Sequence, residues 1–257
     1  MIYYPKHYAS LGIACWLFNR VFLKGLEMAE PIQGICVYCR QFTEVTLDHV
    51  IPQCLWPGRV PKDAPVVNAC KACNHENKSG DDTYLRDILV TNSRSSDTPI
   101  AQRLFPKFGR AMGRNQSQLA NDLQEHGQIR ELYTSQGETT ALVTSQEANE
   151  RSERIFTTIT HGLYNYYTQA NMPENVPIRV FILHDQENTE LAKSLFLAGG
   201  GVYKRAGDGS VFECLYIVSP SDSYTSAWII NLLRRVRVIM LTGTLTTIID
   251  EGLGIAS

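Results

Sequence analysis

Two Cys-x-x-Cys pairs, Cys36-Val-Tyr-Cys39 and Cys70-Lys-Ala-Cys73, constrain this chain more than anything else in it. Pairs of cysteines so spaced read as two zinc knuckles, and four thiolates fill a tetrahedral zinc completely. A site of that kind is closed, so it organises a fold and performs no reaction. The 30 residues between Cys39 and Cys70 exceed the common zinc-ribbon interval, so something is built between the knuckles. The chain holds seven cysteines, the others being Cys15, Cys54 and Cys214. An odd count with four in close pairs suits a metal site plus free thiols better than a disulfide framework, and reduced thiols point to the cytoplasm.

Residues 31–80 are rich in Cys, His, Asn, Pro and Gly and poor in long periodic runs. That is the character of a small domain held by a metal instead of a large core. "ICVYC" and "TEVTLDHV" have the alternation and β-branched content of two short strands. "NACKACNHENKSGDD" reads as a loop entering a short helix, with Ser79-Gly80 ending or interrupting it. From "DDTYLRDILV" to about residue 126 the pattern is helical and broken by loops, with "NSRSSDTP" as a hinge.

Behind this the pattern changes to α+β. Strands are expected at "IRELYT" and "TALVTS" around "SQGE", then a helix over "EANERSERIFTTITHGLYNYYTQA" with Ile155, Ile159, Leu163 and Tyr166 as its apolar stripe. A strand "IRVFIL", a short helix "TELAKSLFLA", a hairpin across "RAGDGS" and a strand-like "VRVIMLTG" follow. His161 and His184 read as satisfied structural histidines, and Cys54 and Cys214 as buried free thiols. At the front, "LGIACWLF" falls short of the roughly 20 apolar residues of a membrane span, so no membrane is expected, and Met28 reads as the functional start. Three regions result: an N-terminal extension over 1–30, a metal module over 31–95 and an α+β accessory domain over 96–257.

Between the knuckles lies "LDHVIP", with Asp48 beside His49. Taken together, "CVYC…LDHVIP…VVNACKACNHENKS" resembles the HNH endonuclease family, and within it the branch whose ββα-metal core is stapled by two zinc knuckles. The resemblance covers about residues 35–87, roughly a fifth of the chain. It implies metal-dependent hydrolysis of phosphodiester bonds in DNA, and a setting in restriction, defence or mobile-element work. Carried over position by position, it makes Asp48 a ligand of a magnesium or manganese ion and His49 the general base. Asn74 becomes the second ligand, with Asn77 as its rival. Pro65 stands where the family usually has its middle asparagine, so Asn68 would take the orienting role.

The chemistry agrees with that assignment. A carboxylate and an amide leave a hard cation open positions for phosphate and water. A neutral histidine can take a proton from water near neutral pH. Neighbouring strand residues face opposite sides, so a twist or loop at "DHVIP" must bring Asp48 and His49 together.

The formal net charge of −2 gives no general attraction to nucleic acid, so positive charge must be local. Lys78 is one candidate phosphate contact. Arg103, Lys107, Arg110 and Arg114 are the others, giving +4 over residues 100–118, at spacings that align them on one helix face if Pro106, Gly109 and Gly113 allow a helix. In "LLRRVRV", alternation would put Arg235 and Arg237 on the solvent face of a strand. DNA is the expected partner; RNA presents the same phosphodiester, and a second copy of the chain could join through the rear domain. Two other classes stay open: a non-catalytic zinc module that binds nucleic acid, and a ribonuclease or toxin using the same site.

Overall fold

The structure, a computed structural model, describes residues 31–91, 98–113, 119, 121, 124–125, 128–133, 139–144, 146–183, 193–194, 196–222, 224–234 and 236–246. The extension over 1–30 with Cys15 and Met28, most of the hinge "NSRSSDTP", the "SQGE" turn, His184, much of "TELAKSLFLA", Arg114 and Arg235 lie outside the described residues, as does the side chain of Asn77. The fold is mixed helix and sheet, and Gln33–Ser257 form one compact unit.

The front of this unit is a three-stranded antiparallel sheet in the order β1 (Gln33–Ile35), β2 (Phe42–His49), β3 (Val66–Cys70). β1 stops at Ile35, and the first cysteine pair is a turn, not the strand that "ICVYC" suggests. Arg40 closes it in the left-handed region (φ 62°), while Val37 N–H donates to Asn68 O at 2.9 Å and ties the turn to β3. β2 and β3 pair with Thr46 opposite Ala69, Asp48 opposite Val67 and His49 opposite Val66. "VVNAC" is therefore a strand, so "NAC" lies in β3 and not in a loop.

The second cysteine pair leads into a π-helical turn, Ala72–Asn77, continuous with helix α1 (Lys78–Thr91). Ser79-Gly80 lies inside that helix and does not end it. A π turn carries one residue more than an α turn and often marks a functional site. Here it sets the position of Lys78 relative to Asn74. Helix α2 (Pro99–Gly113) runs unbroken through Pro106, Gly109 and Gly113.

The strands "IRELYT" and "TALVTS" form the hairpin β4 (Gln128–Tyr133) and β5 (Thr139–Thr144). Helix α3 (Gln146–Thr168) follows and is central to the unit. Ile155, Ile159 and Leu163 are buried as its periodicity predicts, but so are Phe156, Thr160 and Tyr164. One flank meets a five-stranded antiparallel sheet in the order β6 (Ile178–Leu183), β10 (Val236–Thr242), β9 (Ser226–Leu232), β8 (Phe212–Val218), β7 (Val202–Ala206). Thr160 Oγ1 lies 3.0 Å from Met240 Sδ, and Tyr167 stacks on Tyr216, which stacks on Trp228.

The other flank meets the front sheet. A methyl on Gly162 would stand 2.7 Å from Val50 Cγ1, so glycine is what lets α3 approach the chain just after His49. The core is accordingly shared, running from Val37, Val50 and Leu89 through Ile159 to Trp228 and Val238. "LLRRVRV" is a hairpin turn between β9 and β10, with Leu233 (φ 51°) and Arg234 (φ 63°) both left-handed, and not one strand. Among the described residues no helix is long and apolar enough to cross a membrane.

Candidate functional site

The sulfur atoms of Cys36, Cys39, Cys70 and Cys73 all lie within 4.8 Å of one another, so the cluster could hold a metal ion such as zinc. Bonds of about 2.3 Å in a tetrahedron put neighbouring sulfurs about 3.8 Å apart. Cys39 Sγ and Cys70 Sγ are 3.8 Å apart, far from a disulfide and matched to that edge. Burial raises the Cys36 thiol, but backbone hydrogen bonds from Cys39, Cys70 and Tyr38 outweigh it and bring it down to about 7. Burial raises the Cys39 and Cys73 thiols, so Cys36 is favoured over them as a thiolate, the form that metal binding requires. The cluster is the only such group of His, Cys, Asp and Glu side chains among the described residues. Cys54 stands apart, half-buried, donating to Asp82 O at 3.1 Å, with its thiol pushed up to about 12 by burial.

The knuckle is anchored to α3 by Arg40. Its Nε donates to Met172 O at 2.8 Å and its Nη1 to Tyr38 O at 2.8 Å; Nη2 reaches Met172 O and, at 2.9 Å, His161 Nδ1. A guanidinium only donates, so His161 accepts at Nδ1 and is the structural histidine its sequence suggests.

Asp48 points into the unit. It is 5% exposed, and its Oδ2 accepts from Lys78 Nζ at 2.6 Å and from Tyr38 OH at 2.5 Å. Lys78 Nζ also donates to His49 O at 2.6 Å, so one ammonium spans the Asp48-His49 pair. Burial, then Asp48, raises the Tyr38 phenol, which keeps it a donor. His49 ends β2, half-buried, and burial lowers its pKa, so the imidazole is neutral at pH 7. Its Nδ1 is buried with no hydrogen-bond partner among the described residues.

The other expected ligands are less convergent. Asn74 donates Nδ2 to Thr46 Oγ1 at 3.2 Å, two residues along the strand from Asp48. Asn68 is exposed and pairs with Leu47, on the face of the hairpin opposite Asp48, and among the described residues its side chain hydrogen-bonds to neither Asp48 nor His49. His75 is exposed. On donor chemistry, Asp48 Oδ2 and His49 O suit a hard divalent ion, since both are oxygens converging on one cationic centre. Asn74 leaves its amide oxygen outside its bond to Thr46.

Beside this cluster is a cavity of about 820 Å³ between the start of α1 and α3, lined among others by Tyr38, Lys78, Asp82, Arg151 and Arg154. Arg151 Nε and Arg154 Nε hold Asp81 at 2.8 and 3.2 Å across it. Asp82 is pushed up to about 7 by burial, with Lys78 opposing and Asp48 and Asp81 adding to the rise. Sequence reasoning missed Tyr38, Asp82, Arg151 and Arg154. The signals were present: a tyrosine inside the first knuckle, an acidic pair near the start of a helix, and arginines three apart on a helix.

On α2, Arg103 and Arg110 are exposed, whereas Lys107 is half-buried and donates to Trp56 O at 3.3 Å. Lys107 therefore braces the short 3-10 segment Gln53–Leu55 and its exit. Comparison with protein-family models, with curated proteins and with solved structures finds no match.

Proposed function

We propose that this chain is an HNH endonuclease hydrolysing phosphodiester bonds in DNA, with zinc in the four-cysteine cluster and magnesium or manganese at Asp48 and Asn74. One observation carries the reading: a β-hairpin and the helix after it, stapled by the cysteines, present Asp48 and His49 on the strand and Asn74 and Lys78 across from them. The divalent ion would supply Lewis-acid stabilisation of the charge that builds on the phosphate and leaving oxygen. Asp48 would hold it through its carboxylate and Asn74 through its amide oxygen, with His49 O, which shares the Lys78 ammonium with Asp48 Oδ2, as a further oxygen ligand. His49, kept neutral by burial, is suited to take the proton of the attacking water. Arg103 and Arg110 offer sequence-independent phosphate contacts, which make binding salt-dependent.

A second reading, a non-catalytic zinc module that binds nucleic acid, draws on the fact that Lys78 and Tyr38 already share Asp48 Oδ2. Incubating the full chain with supercoiled plasmid and with structured RNA, each with magnesium or EDTA, separates the possibilities. Plasmid cleavage that needs magnesium is the expected result. Cleavage of RNA alone would make the protein a ribonuclease using the same site, and binding without cleavage would favour the second reading.

A further inference from the structure

Lys78 is buried where a cation belongs. Its ammonium and the Asp48 carboxylate are each only 6% exposed, and Nζ lies 2.6 Å from both Asp48 Oδ2 and His49 O. An anionic oxygen and a carbonyl oxygen closing on one positive centre form the donor pair that a hard metal ion takes. Tyr38 completes the arrangement, donating to the same Oδ2, with its ring centroid 5.7 Å from Nζ. A divalent ion at these oxygens would stand within a few ångströms of the ammonium, in a site where water screens little. The two charges exclude one another. The lysine stem is flexible, and Lys78 lines the cavity between α1 and α3, so its head has somewhere to go. Asp82 lines that same cavity and supplies a carboxyl for it.

We propose that Lys78 is a resident counter-cation that competes with the divalent ion for Asp48 Oδ2 and His49 O, so that ion entry releases its ammonium into the cavity. This rests on the nuclease reading and adds its regulation: the ion must displace a built-in competitor. The affinity for the divalent ion is therefore set below what the oxygens alone would give. The device also keeps Asp48 paired whenever the ion leaves, which avoids an uncompensated buried carboxylate.

The test is manganese binding to the zinc-loaded full chain, read by the loss of the free-ion electron paramagnetic signal, for wild type, Lys78→Met and Asp48→Asn. Lys78→Met should bind manganese at least about tenfold tighter than wild type, and Asp48→Asn should lose the site. If Lys78→Met folds poorly, its thermal midpoint should rise with manganese far more than that of wild type, which keeps the exchange measurable. Equal or weaker binding by Lys78→Met, with wild type still binding manganese and cutting DNA, overturns the exchange and leaves the nuclease reading standing. Tighter binding by Lys78→Met, with a wild type that binds manganese but cuts neither plasmid nor RNA, supports the exchange and removes the nuclease reading. No manganese bound by any of the three removes both.

Discussion

Two buried titratable groups should pull stability in opposite directions with pH, and separating them tests the packing around α3. His161 is pushed down from 6.5 to about 4, by burial first and then by Arg40. Asp82 is pushed up from 3.8 to about 7, by burial first, with Lys78 opposing and Asp48 and Asp81 contributing. A histidine depressed by folding binds more protons unfolded, so its contribution is full above 6.5 and is lost as pH falls toward 4. A carboxyl raised by folding does the reverse, with its contribution full below 3.8 and lost as pH rises through 7. Between pH 7 and pH 5, linkage gives about 2 kcal/mol lost through His161 and about 2 kcal/mol gained through Asp82.

Wild type should therefore hide both terms. Urea unfolding at the two pH values should show His161→Gln gaining about 2 kcal/mol relative to wild type on acidification, and Asp82→Asn losing a similar amount. Groups common to all three proteins cancel in those differences. Parallel pH responses in the three proteins would refute the burial of these two groups.

His49→Ala should lower the cleavage rate by about 10²–10⁴-fold with zinc content and thermal midpoint near wild type, and a rate above about a tenth of wild type would remove His49 from the mechanism. Cys36→Ser should lose the expected single zinc and unfold the front sheet, whereas Cys54→Ser should keep the metal; equal loss in metal analysis would sink the four-cysteine scheme. Gly162→Ala forces a methyl 2.7 Å from the fully buried Val50, and an overpacking cost of about 1–3 kcal/mol should outweigh the roughly 1 kcal/mol gained in helix propensity. A chemically unfolded midpoint that rises in Gly162→Ala would show that Val50 yields.

The parts of this fold that could be read from the sequence are those decided locally. Cys-x-x-Cys spacing is ligand chemistry, and the four sulfurs do cluster. The period of Ile155, Ile159 and Leu163 marked α3, and the alternation of "TEVTLDHV" marked β2. What escaped was decided by partners far along the chain. β3 is five residues with a cysteine and an asparagine in it, and it becomes a strand because β2 is there to pair with. The turn at Leu233 and Arg234 has no glycine, and neighbouring strands impose its positive φ angles on ordinary residues. The same holds in the site, where nothing in "CNHENKS" says that Lys78 reaches back to Asp48.

These long-range contacts make the front of the chain depend on α3. Arg40 joins the first knuckle to His161 and to Met172 O. Gly162 lets Val50 close on the helix immediately after His49, and Arg151 and Arg154 reach across to Asp81 in the first turn of α1. The cysteine cluster fixes one side of the hairpin, and α3 fixes the end that carries Asp48 and His49. Neither alone would hold a carboxylate, a phenol and an ammonium at 2.5–2.6 Å in a buried site. A short-stemmed Asp48 can be set by the strand, but the long Lys78 stem needs α1 held in register, which the α3 ion pairs supply. The rear of the chain thus acts on the candidate site by geometry, through a helix that touches it at three places without contributing a ligand to it.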